Sequence, residues 1–281
     1  MNWSRIAAQP WMLWRRQVAA ILRLELKKSL FSKRAWWIYI LTLGPVVITA
    51  LHSLVDHGRG DHPISEDFMV YAGIFQVYYL RLGIFFGCLG IFSNLFRAEV
   101  LERTLHYYFM SPVRREVLAV SKYLAGLFAA VVFFAGSAAL SFVCIAMHWG
   151  PVFQDYLFRG PGMAQLGWYT LTAALACVGY GAVFLLTGLL FRNPMIPAAV
   201  VMVWENLNPF LPSLLKKFSV IFYLKSLCPV QIPAQGPLAL IAVVTEPTPA
   251  WLAIPGLLIV SALVLAYAAK QARKLEVSYS E

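Results

Sequence analysis

Apolar residues in this chain do not alternate with polar ones at the spacing of a water-facing helix or strand. They run in tracts approaching or exceeding the ~20 residues that cross a bilayer as a helix, separated by short polar clusters. The tracts cover residues 35–55, 68–96, 117–147, 167–191, 195–208 and 250–269. They predict an all-α polytopic membrane protein with six transmembrane helices. The second tract is longer than a crossing needs and carries Arg81 as its one charge, so this span is expected to tilt or to break in its outer part. Between residues 206 and 249, Pro209, Pro212, Lys216, Lys217, Lys225 and Pro229 cut the apolar runs into pieces too short to cross. Short re-entrant or interfacial helices on the outer side, before the last span, fit that pattern.

Ahead of the first span, residues 1–34 follow a different rule. On a helical wheel over Trp11–Arg34, Arg16, Arg23, Lys27 and Arg34 form one stripe, with Trp11, Trp14, Val18, Ile21 and Leu22 opposite. An amphipathic helix lying in the inner interface is the expectation, although Glu25 falls on its apolar side. The chain thus divides into a cytoplasmic segment, 1–34, carrying this elbow helix, and a six-span domain, 35–281. No cleavable signal peptide is expected, because basic residues interrupt every apolar stretch of the first thirty positions.

Charge then sets the direction. Of 23 Lys and Arg, 17 fall in the N-terminal segment, the 97–122 loop, the Arg192 turn and the C-terminus, all on one side of a six-span layout. By the positive-inside rule that side is the cytoplasm, placing both termini inside and the protein in the plasma membrane, the inner membrane of a bacterium. Trp36 and Trp37 at the inner edge and Trp149, Trp168 and Trp251 at the outer edge suit the interfaces. The net charge of +10 flanks apolar runs instead of forming a soluble basic region, so lipid phosphate is the expected anionic partner and nucleic acid is not. Four cysteines, three of them inside apolar tracts, offer neither a disulfide framework nor a paired zinc motif.

Chemistry-bearing candidates are few. No G-x-x-x-x-G-K-[ST] loop is present to cradle a nucleotide, so ATP hydrolysis is not expected of this chain. Asp56, His57, Asp61 and His62, with His52 nearby, carry zinc-type donors, but their spacing matches no standard metalloprotease helix and a solvated loop is preferred. Arg81 and Glu205 fall near mid-membrane. Two arrangements are open: a direct ion pair, or Arg81 snorkelling outward while Glu205, Asn206 and Asn208 begin a polar outer segment. Gly83-x-x-x-Gly87 strips one face of the second span of bulk, which suits packing within the chain.

The loop from Arg97 to Lys122 is too structured for a minimal connector. It starts like a helix, breaks at Ser111-Pro112, and places Leu101, Leu105, Tyr108 and Phe109 on one face. Something must cover that apolar surface, and another protein would do so. Here Glu99, Glu102, Arg103, Thr104, Leu105, Ser111, Pro112, Arg114 and Lys122 stand in an order that resembles the membrane subunits of type 2 ATP-binding-cassette exporters. The likeness extends over the basic elbow, the six spans, the interrupted outer helices and the short basic C-terminus.

That resemblance implies a coupling helix over Leu105–Met110 docking on a separate ATPase subunit, with Arg192-Asn193-Pro194 approaching the same partner. It marks Glu102, Thr104, Leu105, Tyr108, Phe109, Pro112, Arg114 and Arg192 as ATPase-coupling residues. It also implies a permease without catalytic or metal-binding groups or a cofactor of its own. ATP and Mg would be held by the partner, and a second permease copy or a homologue would complete the path. An ion-coupled secondary transporter using Arg81 and Glu205 is the alternative, and a membrane metalloenzyme at the outer histidines ranks behind both. The transported substrate is not legible.

Overall fold

In hydrocarbon a backbone must satisfy its own polar groups, and a long apolar tract does so only as a helix. The computed structural model describes residues 11–31, 36–55, 63–101, 115–191, 193–232 and 248–273. Among these, all regular structure is helical. Helix α1, Trp11–Phe31, precedes α2, Trp36–Val55. Next come α3, Ile64–Gly73, a π-helical segment, Ile74–Gly83, and α4, Ile84–Leu101, which run on without a break. After them follow α5, Arg115–Ile145, a 3₁₀ turn, Met147–Trp149, the short α6, Pro151–Phe158, and α7, Gly162–Leu190. Helix α8, Met195–Leu207, leads through a 3₁₀ turn, Asn208–Phe210, into α9, Ser213–Lys216, and α10, Val220–Leu227; α11 is Ala250–Arg273.

Five stretches are long and apolar enough to cross a bilayer: Trp36–Val55, Ile64–Arg97, Val117–Trp149, Gly162–Leu190 and Ala250–Arg273. The tract 195–208, expected to be a further span, forms the 13-residue α8. At 1.5 Å per residue that covers roughly 20 Å, short of a ~30 Å hydrocarbon core. The second span runs 34 residues and is not broken. Its excess length is taken up partly by the π segment, whose wider turns shift the faces of the helix on either side of Gly83.

Helix α7 is central, packing on α4, α5 and α11, while α1 and α2 lie against α5. Small residues permit this closeness. A Cβ at Gly188 would stand 2.8 Å from the Ser93 backbone, so α7 and α4 touch main chain to main chain there. A Cβ at Gly87 would meet the Phe134 ring at 2.0 Å, so the bare face of the second span is used within the chain, against α5. The core between α3, the π segment, α5 and α7 is largely aromatic. Tyr71 lies edge-on to Phe142 and Tyr169, with ring centroids 5.2 and 4.9 Å away. Its hydroxyl donates to the Ala138 carbonyl at 2.8 Å, and the Tyr79 hydroxyl lies 2.7 and 2.8 Å from the Ser137 and Ser141 hydroxyls. The outward faces of α2, α8 and α11 carry exposed apolar side chains, Ile48, Val200 and Leu263 among them.

Candidate functional site

Two buried ionic clusters and one polar pocket interrupt this apolar interior. The first cluster lies where α1 crosses α5. Lys122, one turn into the apolar part of α5, has no solvent exposure, and Glu25 of α1 is almost as covered. The Lys122 Nζ donates to Glu25 Oε1 at 2.7 Å and to the Leu95 carbonyl at 2.8 Å, and sits 5.4 Å from the Phe96 ring centroid. One ammonium thereby joins three helices, α1, α4 and α5. Glu25, the residue that spoiled the amphipathic pattern of α1, is on the apolar side because its partner is there. At the same end of the bundle Arg115 Nη1 donates to the Arg273 carbonyl at 2.8 Å, closing α5 onto the end of α11.

At the opposite end stands Asp67, 2% exposed. Its Oδ1 lies 3.2 Å from His52 Nε2, and its Oδ2 accepts from Trp149 Nε1 at 2.7 Å and lies 3.5 Å from His148 Nε2. This carboxylate ties the ends of α2, α3 and α5 together. Sequence reading singled out His52 but gave no role to Asp67 or His148; the available signal was the Glu66-Asp67 pair at the edge of the apolar tract that begins at residue 68. Among the described residues no group of three or more His, Cys, Asp or Glu is arranged to hold a metal ion. Asp56, His57, Asp61 and His62 lie outside the described residues.

The pocket holds the two intramembrane charges singled out by sequence. It is lined by Arg81, Tyr180, Glu205 and Asn206 against Phe85 and Met202. Glu205 projects from the last turn of α8 and is 8% exposed. Four donors converge on its carboxylate: the Val220 N–H at 3.0 Å, the Ile221 N–H at 2.8 Å, the Ser219 hydroxyl at 2.8 Å and the Tyr180 hydroxyl at 3.5 Å. Val220 and Ile221 open α10, whose first N–H groups have no partner inside the helix. Glu205 therefore caps α10 from another element, and a negative charge at a helix N-terminus is favourable.

Arg81, in the π segment, does not reach that carboxylate within ion-pair distance. Its Nη1 donates instead to Asn206 Oδ1 at 3.3 Å. The structure thus brings Arg81 and Glu205 to one pocket, each with a different partner. Ser219 and Tyr180 went unremarked in the sequence, since neither residue type in an apolar tract signals a carboxylate elsewhere in the chain.

The residues marked for ATPase coupling, Glu102, Thr104, Leu105, Tyr108, Phe109, Pro112, Arg114 and Arg192, lie outside the described residues. Their flanks are placed: Leu101 ends α4, Arg115 begins α5, and Asn193 follows α7, its side chain accepting from the Met195 N–H at 3.2 Å.

No curated protein matches the chain. A family model described as ABC-2 family transporter protein matches residues 21–208, from the middle of α1 to just past the end of α8 and across four of the five apolar crossings. With most of its length covered by that match, the chain belongs to the ABC-2 transporter family and is an integral membrane permease for transport.

Proposed function

We propose that this protein is the permease subunit of an ATP-driven exporter, working as a pair of permease copies on separate ABC ATPase subunits that bind ATP and Mg. Family membership implies an ATPase partner. The observation that carries the fuller reading is the Lys122 network. It fastens α1, α4 and α5 at the end of the bundle from which residues 102–114 depart. A rigid three-helix base is what a docking loop needs if a push delivered there is to move helices instead of flexing a linker.

In this reading the lysine- and arginine-rich end faces the cytosol, both termini are inside, and the Asp67 end faces out. Helix α8 with the α9 and α10 pieces supplies the sixth element of the membrane domain. The exposed apolar faces of α2, α8 and α11 meet lipid or the second copy. Binding, not covalent chemistry, is the work of the polar groups in the bundle.

The test is retention of the partner. Affinity-tagged full chain purified from its native membrane is expected to bring an ABC ATPase with it. Leu105→Glu and Phe109→Glu are expected to insert normally but lose that ATPase. Undiminished retention by both variants would remove the coupling helix; absence of any ATPase from the wild-type preparation would remove ATP-driven transport.

A further inference from the structure

We propose that Arg81 and Asn206 form a binding site for the anionic head, carboxylate or phosphate, of an amphiphilic substrate. This deepens the permease reading above and rests on it. Arg81 stands sixteen residues before Arg97, hence roughly 20–25 Å above it at α-helical rise, within the outer third of a ~30 Å core. A guanidinium at that depth is costly unless an anion or water compensates it.

The neighbouring carboxylate does not compensate it. Glu205 is engaged by four donors, about as many as a carboxylate has acceptor positions, and three of them belong to the Ser219–Ile221 turn. Arg81 makes one long bond to the neutral Asn206 amide oxygen and has no ion pair among the described residues. Four of its five donors stay available to a ligand.

The surroundings specify the rest of the ligand. Val77, one turn from Arg81, is 60% exposed, and Val203 and Leu207, flanking Asn206 on α8, are 59% and 46% exposed. An anionic head at Arg81 would therefore have its apolar chain on these side chains. A guanidinium fork matches carboxylate and phosphate oxygens in pairs, whereas lysine offers a point charge.

Binding is measured on the full chain alone in phosphatidylcholine nanodiscs, with radiolabelled dodecyl phosphate as the probe and dodecanol as its neutral counterpart. The wild-type chain is expected to bind dodecyl phosphate saturably and dodecanol weakly. Arg81→Gln is expected to weaken binding by about tenfold or more, as loss of a charge-assisted bond does. Arg81→Lys should recover part of the loss, and Asn206→Leu should weaken binding without altering charge. Arg159→Gln, at an exposed arginine, serves as control and should bind as wild type. Unchanged binding in Arg81→Gln and Asn206→Leu overturns the site, and equal retention of dodecanol overturns the anionic head. Displacement by equimolar inorganic phosphate overturns the amphiphile. Full displacement on doping the discs with phosphatidylglycerol reassigns the site to a resident lipid and overturns the substrate. Because no ATPase is present, failure here is separate from failure of the ATP-driven reading.

Discussion

Lys122 and Glu25 form an ion pair 2.7 Å long with both partners buried, holding α1 against α5. Removing one partner of such a pair strands a charge in an apolar site. Lys122→Met or Glu25→Leu alone is expected to cost about 3–5 kcal/mol, while the double variant recovers much of it. Thermal unfolding in detergent micelles supplies the cycle, and strictly additive losses would show that the two groups do not act together.

Glu205→Ala is expected to free the α10 N-terminus, speeding hydrogen exchange at Val220 and Ile221, whose N–H groups it accepts. Each donor left without an acceptor costs about 1–3 kcal/mol. Exchanging the charges, Arg81→Glu with Glu205→Arg, should not rescue the loss, because arginine accepts no hydrogen bond. Protection restored in the exchanged variant would revive a direct Arg81–Glu205 pair.

Gly188→Ala places a methyl 2.8 Å from the Ser93 backbone, which cannot step aside without moving a helix. A loss of about 1–3 kcal/mol is expected from this overpacking. Gly136→Ala, whose Cβ meets nothing within 4 Å, should stay within about 1 kcal/mol of wild type. Equal unfolding temperatures for the two variants would contradict the α4–α7 contact.

Orientation is accessible to cysteine labelling in the wild-type background, since all four native cysteines are buried. Cys228 lies in the segment before the last span, where an outer position would expose it to label and a re-entrant turn would bury it; it is 4% exposed and should react slowly from either side. Met163, 51% exposed, is the better outer labelling position than its neighbour Gly162, whose Cβ would stand 2.7 Å from Leu157 Cα. Met163→Cys should react in intact cells, and Arg103→Cys and Asn193→Cys only after permeabilisation. A reactive Arg103→Cys in intact cells would reverse the topology and detach the ATPase from residues 102–114.

The sequence by itself determined the solvent of this protein, and with it the helices. Long apolar tracts such as 117–147 and 167–191 admit one backbone solution in hydrocarbon, so α5 and α7 were legible from composition and length. The motif order from Glu99 to Lys122 likewise pointed to the family that the match over residues 21–208 establishes. Only tertiary structure decided what the polar exceptions do. Glu25 looked like a flaw in α1 until α5 brought Lys122 to it, and Asp67 gained His52, His148 and Trp149 from helices distant in sequence. Glu205 and Arg81 seemed matched by charge, yet the α10 turn occupied the carboxylate and Asn206 took the guanidinium. Nor does IFQVYYLRLG contain a breaker that would announce a π segment. Burial in lipid is a property each residue carries alone, and so can be read along the chain. A hydrogen-bond partner is a property of two residues, fixed by which helix faces pack, and those faces meet only when the bundle closes.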